Sequence, residues 1–284
     1  MISRREALSA LIGARALAAA AKGLKDVVGE IPGAALLVDV ASRQVIAVSA
    51  PDLAGSMLAP PGSAIKPFTL EALLQAGKLR SDEAYHCPGK LEIGGRDLHC
   101  SHPPMAPAMQ VRSALAYSCN CFVAHFAERF APGELAAHLA RRGLSSPTGW
   151  FGEKEAPGRI ARATTRDAQQ LQAIGENGVL VTAAAMAMAY RRLALDAAEE
   201  IRAGLEDAVE IGTAQNARVA GVAVAGKTGS VRAPDGNMIA WFCGFVPSRA
   251  PSAVVTVMLQ GRSGGADAAP VAGRILAAHQ AGRL

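Results

Sequence analysis

Three short strings carry residue types suited to acyl transfer through a serine ester: Ser63-Ala64-Ile65-Lys66, Ser118-Cys119-Asn120 and Lys227-Thr228-Gly229-Ser230. A serine hydroxyl is a poor nucleophile near neutral pH and needs a base beside it. On a helix, positions i and i+3 share a face, which brings the Lys66 amine within reach of Ser63 Oγ. To accept a proton, that amine must ionise well below the ~10.4 of a free lysine. Burial or a neighbouring cation lowers it, and Lys227 is the candidate cation. Ser118 is placed to relay a proton to a leaving amine, and Asn120 to hold a substrate amide together with Lys66. Lys227 and Thr228 offer charge and a hydroxyl to a terminal carboxylate. The backbone N–H groups of Ser63 and Ser230 make a pair of oxyanion donors. Gly229, with no Cβ, lets a ligand lie close to the chain.

These side chains must be brought together by the elements around them. Residues 34–40 and 44–50 are short β-type runs joined by Ala41-Ser42-Arg43, a hairpin-length connection. Pro60-Pro61-Gly62 breaks the chain before Ser63, and Phe68, Leu70, Leu73 and Leu74 follow on helical spacing up to Gly77. Helical patterns are expected over 109–130, 133–142, 166–176, 182–194 and 198–211. Strand patterns return at 222–228, 238–246 and 253–260, ahead of a helix near 267–281. The economical arrangement is an α/β (α+β) fold: one antiparallel sheet built from both chain ends and flanked by helices, with an all-helical lobe inserted at about 80–215. A strand ending in Lys227-Thr228-Gly229 would let a peptide-like substrate pair along its edge.

Composition narrows the functional classes. With 50% hydrophobic and only 4% aromatic residues, the core must be built from Ala, Leu, Val and Ile. The net charge of +5 is scattered, with no basic block interleaved with aromatics, so no nucleic-acid partner is expected. Cysteines 87, 100, 119, 121 and 243 are odd in number and lack the paired CxxC spacing of a zinc site, so neither metal nor cofactor is expected. The Gly-rich stretch from Cys87-Pro88-Gly89 through Gly94-Gly95 to Cys100 can fold back as a hairpin. In an oxidising compartment its two thiols would form a disulfide; otherwise they are small core residues. At the N-terminus, Arg4-Arg5 and the Ala/Leu-rich run to Ala21 outline a twin-arginine export signal, which Arg15 interrupts. The other reading of residues 1–30 is an ordinary helix packing Leu11, Leu17, Leu24 and Val28. No other segment has the ~18 uninterrupted apolar residues of a bilayer span, so membrane association is expected through the N-terminal segment alone or not at all.

The three strings stand in the order of the SxxK, SDN and KTG signatures of active-site serine penicillin-recognising enzymes. They are 55 and then 109 residues apart. Pro61-Gly62-Ser63 resembles the entry to the nucleophile helix of penicillin-binding protein transpeptidase domains. So do Cys87-Pro88-Gly89, Cys100-Ser101-His102 and Ala114-Leu115, then Gly175-Glu176-Asn177-Gly178 with Val181-Thr182 and Met186-Ala187. After the third string, Ala240-Trp241-Phe242, Gly244-Phe245 and Pro247 continue the likeness, which covers about residues 34–280. The resemblance implies a β-lactamase/transpeptidase-like fold over residues 31–284 and a periplasmic or extracytoplasmic location. It also implies D,D-transpeptidase or carboxypeptidase activity on D-Ala-D-Ala stems of peptidoglycan, with covalent binding of β-lactam antibiotics. Ser63, Lys66 and Ser118 would be catalytic; Asn120, Lys227, Thr228, Gly229 and Ser230 would bind substrate. The alternatives are a β-lactamase and a non-turnover β-lactam sensor. Asn120 argues against class D β-lactamases, which favour Val there, and no Glu-x-x-Leu-Asn string of a class A enzyme occurs. Missing too are the N-terminal pedestal and anchor of the large wall-building members, which weighs against a role in a membrane-bound synthesis complex. Glu176 stands where the family usually has Gln or a small residue; facing the cleft, it would favour hydrolysis.

Overall fold

The computed structural model describes residues 23–104 and 108–284. Most of the N-terminal segment, including Arg4-Arg5, Leu11 and Leu17, lies outside the described residues. Residues 23–28 are helical, with Leu24 buried and Val28 packed beside it. Among the described residues no helix is long and apolar enough to cross a membrane.

The chain ends meet in one sheet. Strands β1 (Gly33–Asp39), β2 (Val45–Ser49), β7 (Ala225–Arg232), β8 (Met238–Val246) and β9 (Ala253–Gln260) lie in the order β2-β1-β9-β8-β7, with every neighbouring pair antiparallel. The seam between the two chain ends is β1 on β9, from Gly33 opposite Leu259 to Asp39 opposite Ala253. Period-2 alternation sends Leu36 and Val38 of β1, and Trp241 and Phe245 of β8, to one face, while Leu37, Phe242 and Val246 go to the other. Both faces are covered, so these strands are almost wholly apolar. The C-terminal helix Ala269–Gln280 covers the second face, where Ile275 and Leu276 are fully buried, and the Ala-rich helix Ala183–Asp196 covers the first.

Strand β7 forms one edge of the sheet. Its edge is the only place where the third string could meet a peptide without displacing a strand. The strand begins at Ala225, three residues later than the sequence pattern implies, because Val222 makes only an isolated bridge with Val219.

The inserted lobe is not helical throughout. Besides helices Glu134–Arg141, Arg166–Ala173 and Glu199–Glu210, it carries the hairpin β3 (Lys90–Ile93) and β4 (Arg96–His99) and the pair β5 (Arg159–Ile160) and β6 (Val179–Leu180). The hairpin turns at Gly94-Gly95, as expected. The single helix expected over 109–130 is two, Val111–Ala116 and Asn120–Ala127. The break is at Ser118, whose φ of 57° is left-handed and cannot continue a helix.

Candidate active site

The nucleophile string starts as a single 3₁₀ turn, Gly62–Ile65, and only then becomes the α-helix Lys66–Gln75. In a 3₁₀ turn residues i and i+3 eclipse, which aligns Ser63 with Lys66 more closely than an α-helix would. The Lys66 N–H donates to the Ser63 carbonyl. Three contacts from distant elements hold this turn. Trp241 Nε1 on β8 donates to Pro60 O at 2.9 Å, Tyr190 Oη on helix Ala183–Asp196 donates to Ala64 O at 2.8 Å, and Gly62 N donates to Gly175 O at 3.1 Å. A Cβ on Gly175 would stand 2.1 Å from Gly62 O, so only glycine allows that approach. Sequence reasoning did not assign Tyr190 or Trp241 a place at the site. A buried Tyr or Trp must find a partner for its polar hydrogen, and that is the one signal that points to them.

The second string is the turn between helices Val111–Ala116 and Asn120–Ala127. Cys119 caps the second helix, its Sγ accepting from Phe122 N. The left-handed backbone at Ser118 is a strained conformation for a residue with a side chain, and its result is visible in what it presents. Lys66 Nζ donates to Ser118 O at 2.6 Å, to Ser118 Oγ at 3.3 Å and to Asn120 Oδ1 at 2.6 Å. The Lys66 donor fixes the orientation of the Asn120 amide, whose Nδ2 then donates to His99 O at the end of the hairpin. The partners of Lys66 Nζ are thus Ser118 and Asn120 rather than Ser63 Oγ, and the amine lies fully buried. Burial lowers its pKa to about 8, against the opposing influence of nearby cysteines and Glu176.

The third string lies on β7. Lys227 is fully buried, and its Nζ donates to Thr228 O at 3.1 Å. Its pKa is pushed well below the ordinary lysine value, first by burial and then by the charge of Lys66. Burial, not Lys227, is therefore the leading cause at Lys66, and the repulsion between the two amines falls on Lys227. Thr228 Oγ1 donates to Thr213 Oγ1 at 2.8 Å, and Ser230 Oγ accepts from Gly264 N at 2.9 Å. Gly229 serves a different purpose from the one expected of it. A Cβ there would sit 2.5 Å from Pro61 O and 3.1 Å from Ala64 N, so its smallness admits the nucleophile turn rather than a ligand.

Ser63, Ser118, Asn120, Thr228 and Ser230 line one cleft of about 520 Å³, joined by Thr213, Ser263 and Glu176. Lys66 and Lys227 stand behind its wall. Thr213 went unnoticed in the sequence because it sits in an irregular stretch with no motif. Glu176 does face the cleft, and its carboxylate accepts from Arg96 Nη2 at 2.9 Å. An apolar groove of about 610 Å³ begins at Glu176 and runs between Ile160, Val179 and Leu180. The hairpin brings Cys87 and Cys100 together as expected, but as free thiols 3.6 Å apart and not as a disulfide.

Comparison with known proteins agrees with this fold. The chain is 27% identical over 266 residues to stage V sporulation protein D of Bacillus subtilis, covering 76% of this chain and 41% of that protein. It is 29% identical over 255 residues to the probable peptidoglycan D,D-transpeptidase PbpC of Pseudomonas aeruginosa, covering 76% and 45%. The chain thus spans less than half the length of these curated relatives. Its fold matches the crystal structure of Pseudomonas aeruginosa PBP2 in complex with WCK 5153 with a TM-score of 0.80 at 20% identity, over 91% of this chain and 76% of that one. A peptidoglycan glycosyltransferase from Burkholderia ambifaria matches with a TM-score of 0.79 at 23% identity, over 96% and 94%. A family model for the penicillin binding protein transpeptidase domain matches residues 33–277, and the chain belongs to that family.

Proposed function

We propose that the domain is a serine D,D-transpeptidase or carboxypeptidase acting on D-Ala-D-Ala ends of peptidoglycan stems, and that β-lactams acylate the same serine. The observation that carries this reading is the buried Lys66 amine, one 3₁₀ turn from Ser63, hydrogen-bonded to Ser118 and Asn120 with a pKa near 8. Such an amine is uncharged in an appreciable fraction of molecules near neutral pH, as a general base must be. Ser63 Oγ attacks the carbonyl of the penultimate D-Ala while Lys66 accepts its proton. The tetrahedral oxyanion rests on the N–H groups of Ser63 and Ser230, and collapse expels D-alanine, whose amine takes a proton from Ser118 Oγ while Lys66 Nζ, hydrogen-bonded to that hydroxyl, returns to it the proton taken from Ser63. Water or an acceptor amine then releases the ester. Thr228 meets the terminal carboxylate directly, and Lys227 acts from behind the strand. A peptidoglycan substrate lies outside the cytoplasm, and Arg4-Arg5 is the proposed export signal.

The test is incubation with a fluorescent penicillin followed by peptide mapping, beside a D-alanine assay on a pentapeptide stem. Label on Ser63, absent in Ser63→Ala, together with D-alanine release supports the reading; label without release points to a sensor. The presence of Glu176 in the cleft keeps a second reading, a β-lactamase, worth measuring. Its signature is an acyl-enzyme that hydrolyses within seconds. A persistent ester removes it, in keeping with the hold of Arg96 on that carboxylate.

A further inference from the structure

Four of the five cysteines gather beside the second string: the hairpin accounts for Cys87 meeting Cys100, but no sequence signal brings that pair to Cys119 and Cys121. The hairpin closes on itself through Cys100 N donating to Gly89 O, which sets Cys100 Sγ 3.6 Å from Cys87 Sγ. The turn at Ser118 brings Cys119 Sγ to 3.8 Å from Cys100 Sγ. The ligand atoms of Cys87, Cys100, His102 and Cys119 all lie within 4.8 Å of one another. A disulfide needs sulfurs at about 2.05 Å, far shorter than either separation. A tetrahedral centre with metal–sulfur bonds of about 2.3 Å has sulfur–sulfur edges of about 3.8 Å, close to both.

His102 supplies an independent sign. Its Nδ1 lies 2.8 Å from Pro103 O, so Nδ1 carries the proton and donates it, leaving Nε2 with a lone pair. That Nε2 is buried and, among the described residues, without a hydrogen-bond partner. An imidazole oriented by a carbonyl at one nitrogen, with its other nitrogen facing thiols, has the arrangement of a metal-ligating histidine. Three thiols and one imidazole form a soft to borderline donor set that suits zinc and not magnesium, calcium or manganese. Four protein ligands leave no open position, which marks a structural centre.

We propose that Cys87, Cys100, His102 and Cys119 hold one zinc-type divalent cation, which ties the Lys90–His99 hairpin to the Ser118–Asn120 turn. On binding, each thiol gives its proton to solvent as the sulfur–metal bond forms, and no electron changes hands. Cys119 lies between Ser118 and Asn120, and Asn120 Nδ2 already holds His99 O. The cation therefore locks from the outside the same turn that Lys66 grips from within. The absence of CxxC pairs misled the sequence reading, because this set closes through tertiary contacts rather than through one local loop. Cys121, 3.5 Å from Cys100, stands next to the centre as an outer neighbour.

Cobalt(II) titration of the reduced, chelator-stripped full chain tests the proposal. One cobalt per chain with the intense ligand-field bands of a tetrahedral thiolate site, displaced by zinc, is the expected result. Cys119→Ser and His102→Ala should each weaken uptake by more than the ~10–100-fold that loss of an outer contact costs, whereas Cys121→Ser should retain it. His102→Ala lies on a loop and keeps the test available should Cys119→Ser fail to fold. No stoichiometric uptake, an octahedral spectrum, or a mass showing a Cys87–Cys100 disulfide in place of metal would overturn the proposal. So would uptake that survives His102→Ala but is lost in Cys121→Ser.

Discussion

The pH dependence of acylation measures the property of Lys66 on which the proposed chemistry rests. With a pKa of about 8, the amine is about one-tenth uncharged at pH 7, half at pH 8 and nine-tenths at pH 9. If the uncharged amine is the base, the acylation rate should rise about fivefold from pH 7 to 8, less than twofold from 8 to 9, and then level off. Stopped-flow measurement of the second-order acylation constant with a chromogenic or fluorescent β-lactam gives the curve directly. The same group must appear in stability. Its pKa falls from 10.5 in the unfolded chain to about 8 in the folded one, so the native state binds this proton more weakly. Folding therefore bears a cost of about 3 kcal/mol below pH 8, which disappears as pH rises through 10.5. Relative to Lys66→Met, the wild-type protein should gain that amount between pH 8 and 10.5 in urea unfolding. A rate that climbs tenfold per pH unit past pH 9 without levelling would mean an ordinary lysine. A rate that ignores pH between 6 and 9 would mean that Lys66 is not the base, and either result refutes the reasoning.

Three further substitutions probe the supports of the site. Gly229→Ala forces a methyl to within 2.5 Å of Pro61 O, so the nucleophile turn must shift; acylation should fall at least tenfold, with about 1–3 kcal/mol of stability lost, read by penicillin labelling and by urea melts. Arg142→Leu strips the buried Glu71 carboxylate of a guanidinium that also holds Asp196, leaving His138 as its remaining side-chain partner. The expected loss is about 3–5 kcal/mol, seen as a drop of roughly 6–20 °C in Tm, with acylation by the folded fraction unchanged. Tyr190→Phe deprives the Ala64 carbonyl of its phenol donor in a fully buried setting; about 1–3 kcal/mol of stability should go, and the acylation rate should fall while the noncovalent affinity for the β-lactam holds.

Much of the scaffold was legible because its signals are periodic. The spans 238–246 and 253–260 are apolar runs bounded by turn residues, and both are strands over those same residues. The Ala-rich stretch after Thr182 has helix formers and a capping hydroxyl, and Thr182 Oγ1 does cap it, accepting from Ala185 N. The helix expected over 109–130 failed at a single residue. A serine gives no warning that it will take φ of 57°, since the contacts of its carbonyl and hydroxyl with Lys66, 52 positions away, help hold it there. Gly229 was read as the close approach of a ligand, but the group that comes close is Pro61, 168 positions earlier in the chain, which no local pattern can show. Tyr190, Trp241 and Thr213 were missed for the same reason. Each acts through one atom on a backbone or hydroxyl group contributed by another element.

The two buried lysines set a condition that links binding to chemistry. Lys66 and Lys227 are both withdrawn from water, and the charge of Lys66 adds to burial in lowering the pKa of Lys227, so the pair resists carrying two protons. On the proposed function, a substrate carboxylate docked at Thr228 would place a negative charge in front of Lys227 and raise its pKa. A charged Lys227 would in turn repel a proton on Lys66, so the proposed base would be released as the substrate arrives. A stem peptide ending in a carboxamide lacks that charge. It should therefore lose kcat as well as raise KM, and its acylation curve should shift toward higher pH than that of the acid. A carboxamide substrate that loses only affinity, with kcat and pH midpoint unchanged, would show that the two amines titrate independently and that carboxylate recognition contributes binding alone.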